Sequence, residues 1–309
     1  MEYVRLGRTE LSVSKVGLGT WQFGAGYWGW GKELDEERAI KIIRTAKDLG
    51  INLIDTAEIY GWGKSERIVG EAVKEFREEV IIATKVWPTN FTYNGVKKSL
   101  KKSLERLGTD YVDLYQVHWP RRFVSMKGGF RAMEELLEEG KIRAIGVSNF
   151  SVKQMIQAKG YLKRHEIASN QVEYNLFKRK FVEEELLPYS KEEGITIIAY
   201  SPLAQGLLSG KYTSKRLPGN WQRRLLVRFY FYRRWMGVLD EVVNALKEIA
   251  ERRGVHPAQV ALNWVIRHEN VVAIPGAKKE EHVRLNAGAV GWKLDKEELE
   301  KLDSLTKLP

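Results

Sequence analysis

Four polar side chains stand at or just beyond the ends of strand-like runs in the first half of the chain. Asp55 follows Asn52-Leu53-Ile54, Tyr60 comes five residues later, Lys85 follows Val80-Ile81-Ile82-Ala83-Thr84, and His118 follows Leu114-Tyr115-Gln116-Val117. Together these residue types suit the reduction of a carbonyl. Hydride addition to a carbonyl carbon leaves an alkoxide that needs a proton. A phenol, with its usual pKa of about 10, donates readily when that value is moved toward the working pH. A neighbouring ammonium does this, a carboxylate holds the ammonium, and an imidazole N–H polarises the carbonyl oxygen. Lys85, Asp55 and His118 would supply those groups, with Tyr60 as the donor. Taken singly, each has a plainer reading: a turn-forming Asp, a packing Tyr, a surface Lys, a structural His. The chemistry requires all of them at one place.

The order of elements provides that place. Apolar, β-branched runs near Lys15–Gly19, Asn52–Ile54, Val80–Thr84, Val112–Val117, Ile142–Val147, Ala168–Val172, Ile195–Ala199 and Val271–Ile274 alternate with amphipathic stretches. Ala39-Ile42-Ile43-Ala46 and Val242-Ala245-Leu246-Ile249 show the helical spacing of those stretches. Eight such repeats predict an α/β fold, a closed parallel (β/α)8 TIM barrel, whose chemistry gathers at the C-terminal ends of the strands. Ahead of it, Val4-Arg5-Leu6 and Leu11-Ser12-Val13, joined by Gly7-Arg8-Thr9-Glu10, predict an N-terminal β-hairpin. A doubly wound open sheet usually carries G-x-G-x-x-G after its first strand, and Gly17-Leu18-Gly19-Thr20-Trp21-Gln22 lacks the third glycine. The longest interruption, 201–237, falls between strands seven and eight, and no other stretch reads as a linker. Residues 1–309 are therefore expected to form one domain.

Composition narrows the class further. With 43% hydrophobic and 29% charged residues, the chain has the make-up of a soluble globular protein rather than a disordered one. No apolar run approaches the roughly 18–20 residues that span a bilayer. Met1-Glu2-Tyr3-Val4-Arg5 lacks a signal peptide's apolar stretch, so a cytoplasmic location is expected. The absence of cysteine excludes disulfides, thiolate metal sites and a thiol nucleophile, and no acidic cluster points to a metal. The net charge of +11 is local: the segment 211–235 carries eight basic residues and no acid, which leaves the rest nearly neutral. That distribution favours a local anionic ligand over a surface that coats nucleic acid or a membrane. A monomer is the default expectation.

The run Gly50-Ile51-Asn52-Leu53-Ile54-Asp55-Thr56-Ala57-Glu58-Ile59-Tyr60-Gly61, continuing through Ser65-Glu66 and Val69-Gly70, resembles the first signature of the aldo-keto reductase family. Arg143-Ala144-Ile145-Gly146-Val147-Ser148-Asn149-Phe150 resembles its second. Gly19-Thr20-Trp21, Ala83-Thr84-Lys85 and Tyr115-Gln116-Val117-His118 fit the remaining landmarks in order, so the similarity covers nearly the whole chain. The resemblance implies an NAD(P)H-dependent reductase of aldehydes and ketones, with the dinucleotide extended across the barrel mouth. By the same resemblance, Ser148, Asn149 and Gln171 meet the nicotinamide carboxamide, Tyr200 stacks on its ring, and Gly19, Thr20 and Trp21 also touch cofactor. Ser201, Leu203, Gln205, Gly206, Leu208, Gly210 and Lys211 belong to a pyrophosphate loop. Gly276, Ala277, Lys278, Lys279, His282 and Asn286 take the adenosine end. Two lysines at a helix start would draw the extra phosphate of NADP, so NADPH is expected, with NADH possible. His282 departs from the family's usual Arg or Gln, and Leu285-Asn286 from its Glu-Asn pair at adenine.

Trp21, Trp28, Trp30, Trp87 and Trp119 lie beyond strand ends or on the first loop and are expected to wall a pocket for aromatic or medium-chain apolar carbonyls. Between Trp221 and Trp235 six aromatics interleave with five arginines, a mixture that also grips single-stranded nucleic acid or membranes. Its position after the pyrophosphate loop favours a clamp on the dinucleotide, or a helix packing its aromatics on the barrel with arginines in water. Two other classes fit the scaffold. One is a cofactor-holding regulatory subunit, as in potassium-channel β subunits; the other is an aldolase-like barrel using Lys85 as a Schiff-base amine.

Overall fold

Tyr3–Arg5 (β1) and Ser12–Ser14 (β2) pair antiparallel, with Tyr3 opposite Ser14, and form the expected hairpin. Eight strands follow: β3 (Leu18–Gly19), β4 (Leu53–Asp55), β5 (Ile81–Val86), β6 (Val112–Val117), β7 (Ile142–Ser148), β8 (Ile167–Glu173), β9 (Thr196–Tyr200) and β10 (Val271–Ala273). The computed structural model describes residues 1–26, 29–121, 124–219, 224–225, 227 and 233–307. In it each of these strands pairs in parallel with the next, in chain order. Parallel bridges from Val16 to Ala273 and from Gly19 to Gly276 join the first strand to the last. The sheet is thereby closed into the (β/α)8 barrel, with amphipathic helices such as Glu36–Asp48 and Leu239–Arg253 outside it. Among the described residues no helix is long and apolar enough to cross a membrane.

Strand alternation sorts the side chains into two shells. Ile54, Ile82, Val86, Tyr115, Val117, Ile145 and Val147 point outward into the main core against the helices. Leu53, Ala83, Leu114, Ala144, Ile198 and Val272 point inward, where Leu6, Leu11 and Val13 of the hairpin join them in a second apolar cluster. The hairpin therefore plugs the N-terminal end of the barrel. Two residues further along their strands, the inward positions become polar: Asp55 after Leu53, Lys85 after Ala83, Gln116 after Leu114. All three are buried. Gly146 makes room for this layer, because a Cβ there would lie 2.8 Å from Gln116 Cγ.

Most predicted strands lie within a residue or two of their observed limits. β5 differs in a way that matters, since it runs two residues past Thr84, pairing Lys85 with Gln116 and Val86 with Val117. A lysine reads locally as a strand end, but here the ladder continues and alternation turns it into the barrel.

At the barrel's base the buried Lys15 Nζ donates toward four carbonyl oxygens, of Ile266 (3.2 Å), His268 (2.6 Å), Glu269 (2.9 Å) and Val271 (3.0 Å). It ties β3 to the turn that enters β10. Lys15→Met would leave those acceptors without their cation, and a loss of about 2–4 kcal/mol is expected in urea unfolding. An unchanged urea midpoint would show that water replaces the ammonium at no cost.

Candidate active site

The sequence-selected tetrad converges at the C-terminal mouth. Lys85 Nζ lies 2.5 Å from Asp55 Oδ1, 2.8 Å from the Thr56 carbonyl oxygen and 3.3 Å from Tyr60 Oη. Its three protons thus have three oxygens, and the ion pair is closed to water, with side-chain exposures of 0% and 3%. The other Asp55 oxygen accepts from Gln171 Nε2 at 2.7 Å and Gln116 Nε2 at 3.2 Å. His118 stands edge-on to Tyr60, ring centroids 5.7 Å apart, and edge-on to Trp87 at 5.2 Å.

The loop carrying Tyr60 is anchored from below. Ser65 Oγ bonds Thr20 Oγ1 at 2.7 Å and Thr56 Oγ1 at 2.9 Å, while buried Glu66 accepts from Thr84 Oγ1 at 2.6 Å and Arg106 Nε at 2.5 Å. Sequence reasoning overlooked Gln116 as a support of Asp55. Its place two residues before His118, on the same face of β6, was the available signal.

A long cleft opens over this group and is lined by Trp21, Tyr60, Trp87, His118 and Trp119, and by residues of the connections after β9 and β10. Every residue assigned to cofactor lines it except Ser148, Asn149, Leu208 and Ala277. Leu208 and Ala277 are packed into the core, so their side chains serve the fold. Ser148 Oγ donates to the Gln171 carbonyl at 2.8 Å, and Asn149 Oδ1 accepts from Tyr200 Oη at 3.0 Å, which ties the mouth together around β7, β8 and β9. Neither caps a helix; Ser151 does, in a reciprocal pair with Gln154. Among the described residues, the non-glycine ones with positive φ, Trp62, Asn149, Ser201, Ala204 and Gln205, all belong to connections at this mouth. Backbone strain collects where a site must hold a fixed shape.

The model of the aldo/keto reductase family matches residues 15–307. The chain belongs to that family. It is 39% identical over 318 residues to aldo-keto reductase YhdN of Bacillus subtilis, covering 99% of this chain and 93% of that protein. It is 34% identical over 317 residues to the NADH-specific methylglyoxal reductase of Escherichia coli, covering 95% of each. An aldo-keto reductase from Klebsiella pneumoniae solved in complex with NADPH superposes with a TM-score of 0.79 at 35% identity, covering 100% of this chain and 96% of that one.

One expectation for this aldo/keto reductase is corrected by its structure. Trp30 is not part of the cleft lining; it packs beside Phe23, centroids 6.4 Å apart, with the Lys64 ammonium 4.9 Å from its ring. An aromatic on the first loop can turn either way, and this one covers apolar surface. Trp28 lies outside the described residues, as do Trp221, Arg223 and residues 228–232 of the segment 221–235. Trp235 of that segment is buried and stacks on Phe177 at 5.1 Å.

Burial pushes the Tyr60 phenol well above its usual pKa, and the Asp55 carboxylate adds to the effect. Burial pushes the Lys85 ammonium down, opposed by Asp55 and Glu66. In the free site burial thus acts on the phenol against the ammonium that stands 3.3 Å from it. Burial, aided by Lys85, lowers His118 to about 3, so the imidazole is neutral at ordinary pH. If Tyr60 acts as an acid, its active form is the protonated one, and a raised pKa extends that form upward. The pH profile of kcat/KM for carbonyl reduction should therefore show no inflection at the ordinary phenol value of about 10 and none at the ordinary histidine value of about 6.5. An inflection near the ordinary histidine value would show that His118 titrates in the working range.

Proposed function

We propose that this chain reduces small aldehydes and ketones to alcohols with NADPH, Tyr60 giving the proton. The observation that carries the reading is the buried Lys85 with its protons directed at Asp55, Thr56 and Tyr60 beneath a cleft wall. The lining residues suit a dinucleotide: Tyr200 offers a flat aromatic beside Asn149, while Lys211, Lys278 and Lys279 supply positive charge for phosphates. Bound NADPH supplies the hydride to the carbonyl carbon. His118, neutral, offers an N–H to the carbonyl oxygen and draws charge onto it. Tyr60 passes its proton to that oxygen, which becomes an alcohol; an alkoxide is a far stronger base than a phenolate, so the transfer is favourable even from a phenol of raised pKa. Lys85 then faces the phenolate at the distance it held before, and Asp55, clamped by Gln116 and Gln171, keeps the ammonium there. Trp21, Trp87 and Trp119 exclude water from the exchange.

Lysines at the helix start favour NADPH, in line with the Klebsiella pneumoniae neighbour, while the Escherichia coli relative is named for NADH. The Schiff-base alternative needs a free neutral amine, and the Lys85 protons are each engaged inside the barrel. Reduced cofactor is expected to be consumed, NADPH faster than NADH, when methylglyoxal or an aryl aldehyde is added. Consumption of neither cofactor with any carbonyl would leave the regulatory-subunit reading in its place.

A further inference from the structure

We infer that Trp62 is a specificity-determining residue that lies against the flat face of aryl-substituted carbonyl substrates. The inference rests on the reductase reading above. Trp62 follows Tyr60 by two residues and lines the same cleft as Trp21, Trp87 and Trp119. It is 86% exposed, more than any other large hydrophobic residue described.

Its backbone is left-handed, with φ 56° and ψ 44°, a region that costs a bulky residue and suits glycine. The flanking glycines share the bend, Gly61 at φ 54° and Gly63 at φ 86°. This turn is tightly packed: a Cβ on Gly61 would lie 2.9 Å from the Phe23 carbonyl oxygen, and one on Gly63 2.6 Å from Arg106 Cδ. A fixed backbone therefore holds up an indole that packs on little of the protein. Folding accounts for neither feature, because glycine would relieve the backbone and a polar side chain would suit the exposure. A large aromatic kept bare at the rim of a cleft gains its missing contact from what enters the cleft.

The surrounding wall indicates what that is. The lining contributed by the connections after β4, β5 and β6 includes Ile59, Tyr60, Trp62, Trp87, His118 and Trp119, with no charged side chain among these six. Positive charge enters the lining from elsewhere, from Arg38 after β3 and from Lys211, Lys278 and Lys279 after β9 and β10. Flat, uncharged surface beside the proton donor suits a planar, uncharged ring on the carbonyl carbon.

Phenylglyoxal and methylglyoxal share one ketoaldehyde and differ by a phenyl in place of a methyl, so their comparison isolates the ring. Trp62→Gly is expected to lower the ratio of kcat/KM for phenylglyoxal over methylglyoxal about tenfold, mainly through KM for phenylglyoxal, the scale of one lost aromatic contact. Trp62→Phe, which keeps a ring, should hold the ratio within about threefold of the parent. The glycine variant should melt within a few degrees of the parent, because relief of the left-handed backbone offsets glycine's larger unfolded-state entropy. An unchanged ratio, or equal loss for both substrates with a lower melting temperature, would overturn the role while leaving the reductase reading intact. If the parent chain consumes NADPH with neither compound, the reductase reading fails and this inference falls with it.

Discussion

Tyr60→Phe is expected to lower kcat for carbonyl reduction roughly 10³-fold while leaving NADPH affinity within about threefold, because one general acid typically contributes about 10²–10⁴. The substitution removes a single oxygen. Lys85 keeps Asp55 Oδ1 at 2.5 Å and the Thr56 carbonyl at 2.8 Å, so the buried ion pair and the barrel should persist. The phenylalanine ring can still meet the edge of His118, as the tyrosine ring does at 5.7 Å. Steady-state rates with methylglyoxal, together with cofactor binding followed by fluorescence quenching, separate the two effects. Turnover within tenfold of the parent would move the proton-donor role to another group or to water.

Lys85→Met should affect both stability and rate. It leaves the Asp55 carboxylate, 2% exposed, with two amide donors and no cation. Breaking a buried pair from one side costs about 3–5 kcal/mol, so the melting temperature should fall by roughly 5–12 °C. Loss of the cation that faces the phenolate should lower kcat by about 10²–10³. The double variant Asp55→Asn, Lys85→Met removes both charges and is expected to recover at least half of the stability and none of the rate. Recovery of rate would show that the ammonium acts by holding the barrel together and takes no part in proton transfer. An undisturbed melting temperature in the single variant would show that water reaches Asp55 and screens it.

Much of this was legible beforehand because it depends on local pattern. Apolar runs separated by helical periodicity specify a strand and helix alternation, and β6 falls at Val112–Val117 as its sequence pattern indicates. Asp55 ends β4 and Tyr60 comes five residues later on the loop that follows, so their proximity is a property of the chain itself. The family motifs then tie Lys85 and His118 to the same mouth. What local pattern misses is who faces whom. Lys85 reads as a surface charge until the ladder to β6 carries β5 past it and turns its side chain inward. Gln116 reads as an ordinary strand residue and Gln171 as a contact of the nicotinamide, yet the closed barrel aims both amides at Asp55. Trp30 and Trp62 are alike as letters, and only packing sends one onto Phe23 and leaves the other bare.

The sequence by itself determined the kind of scaffold, the order of its strands and the chemical types at its mouth, because hydrophobic period and short-range spacing are written along the chain. Tertiary structure alone decided the direction in which Tyr60 and His118 titrate and which amides clamp the carboxylate that holds the ammonium. Those depend on removing water and on register between strands remote in sequence, and neither exists until the barrel closes.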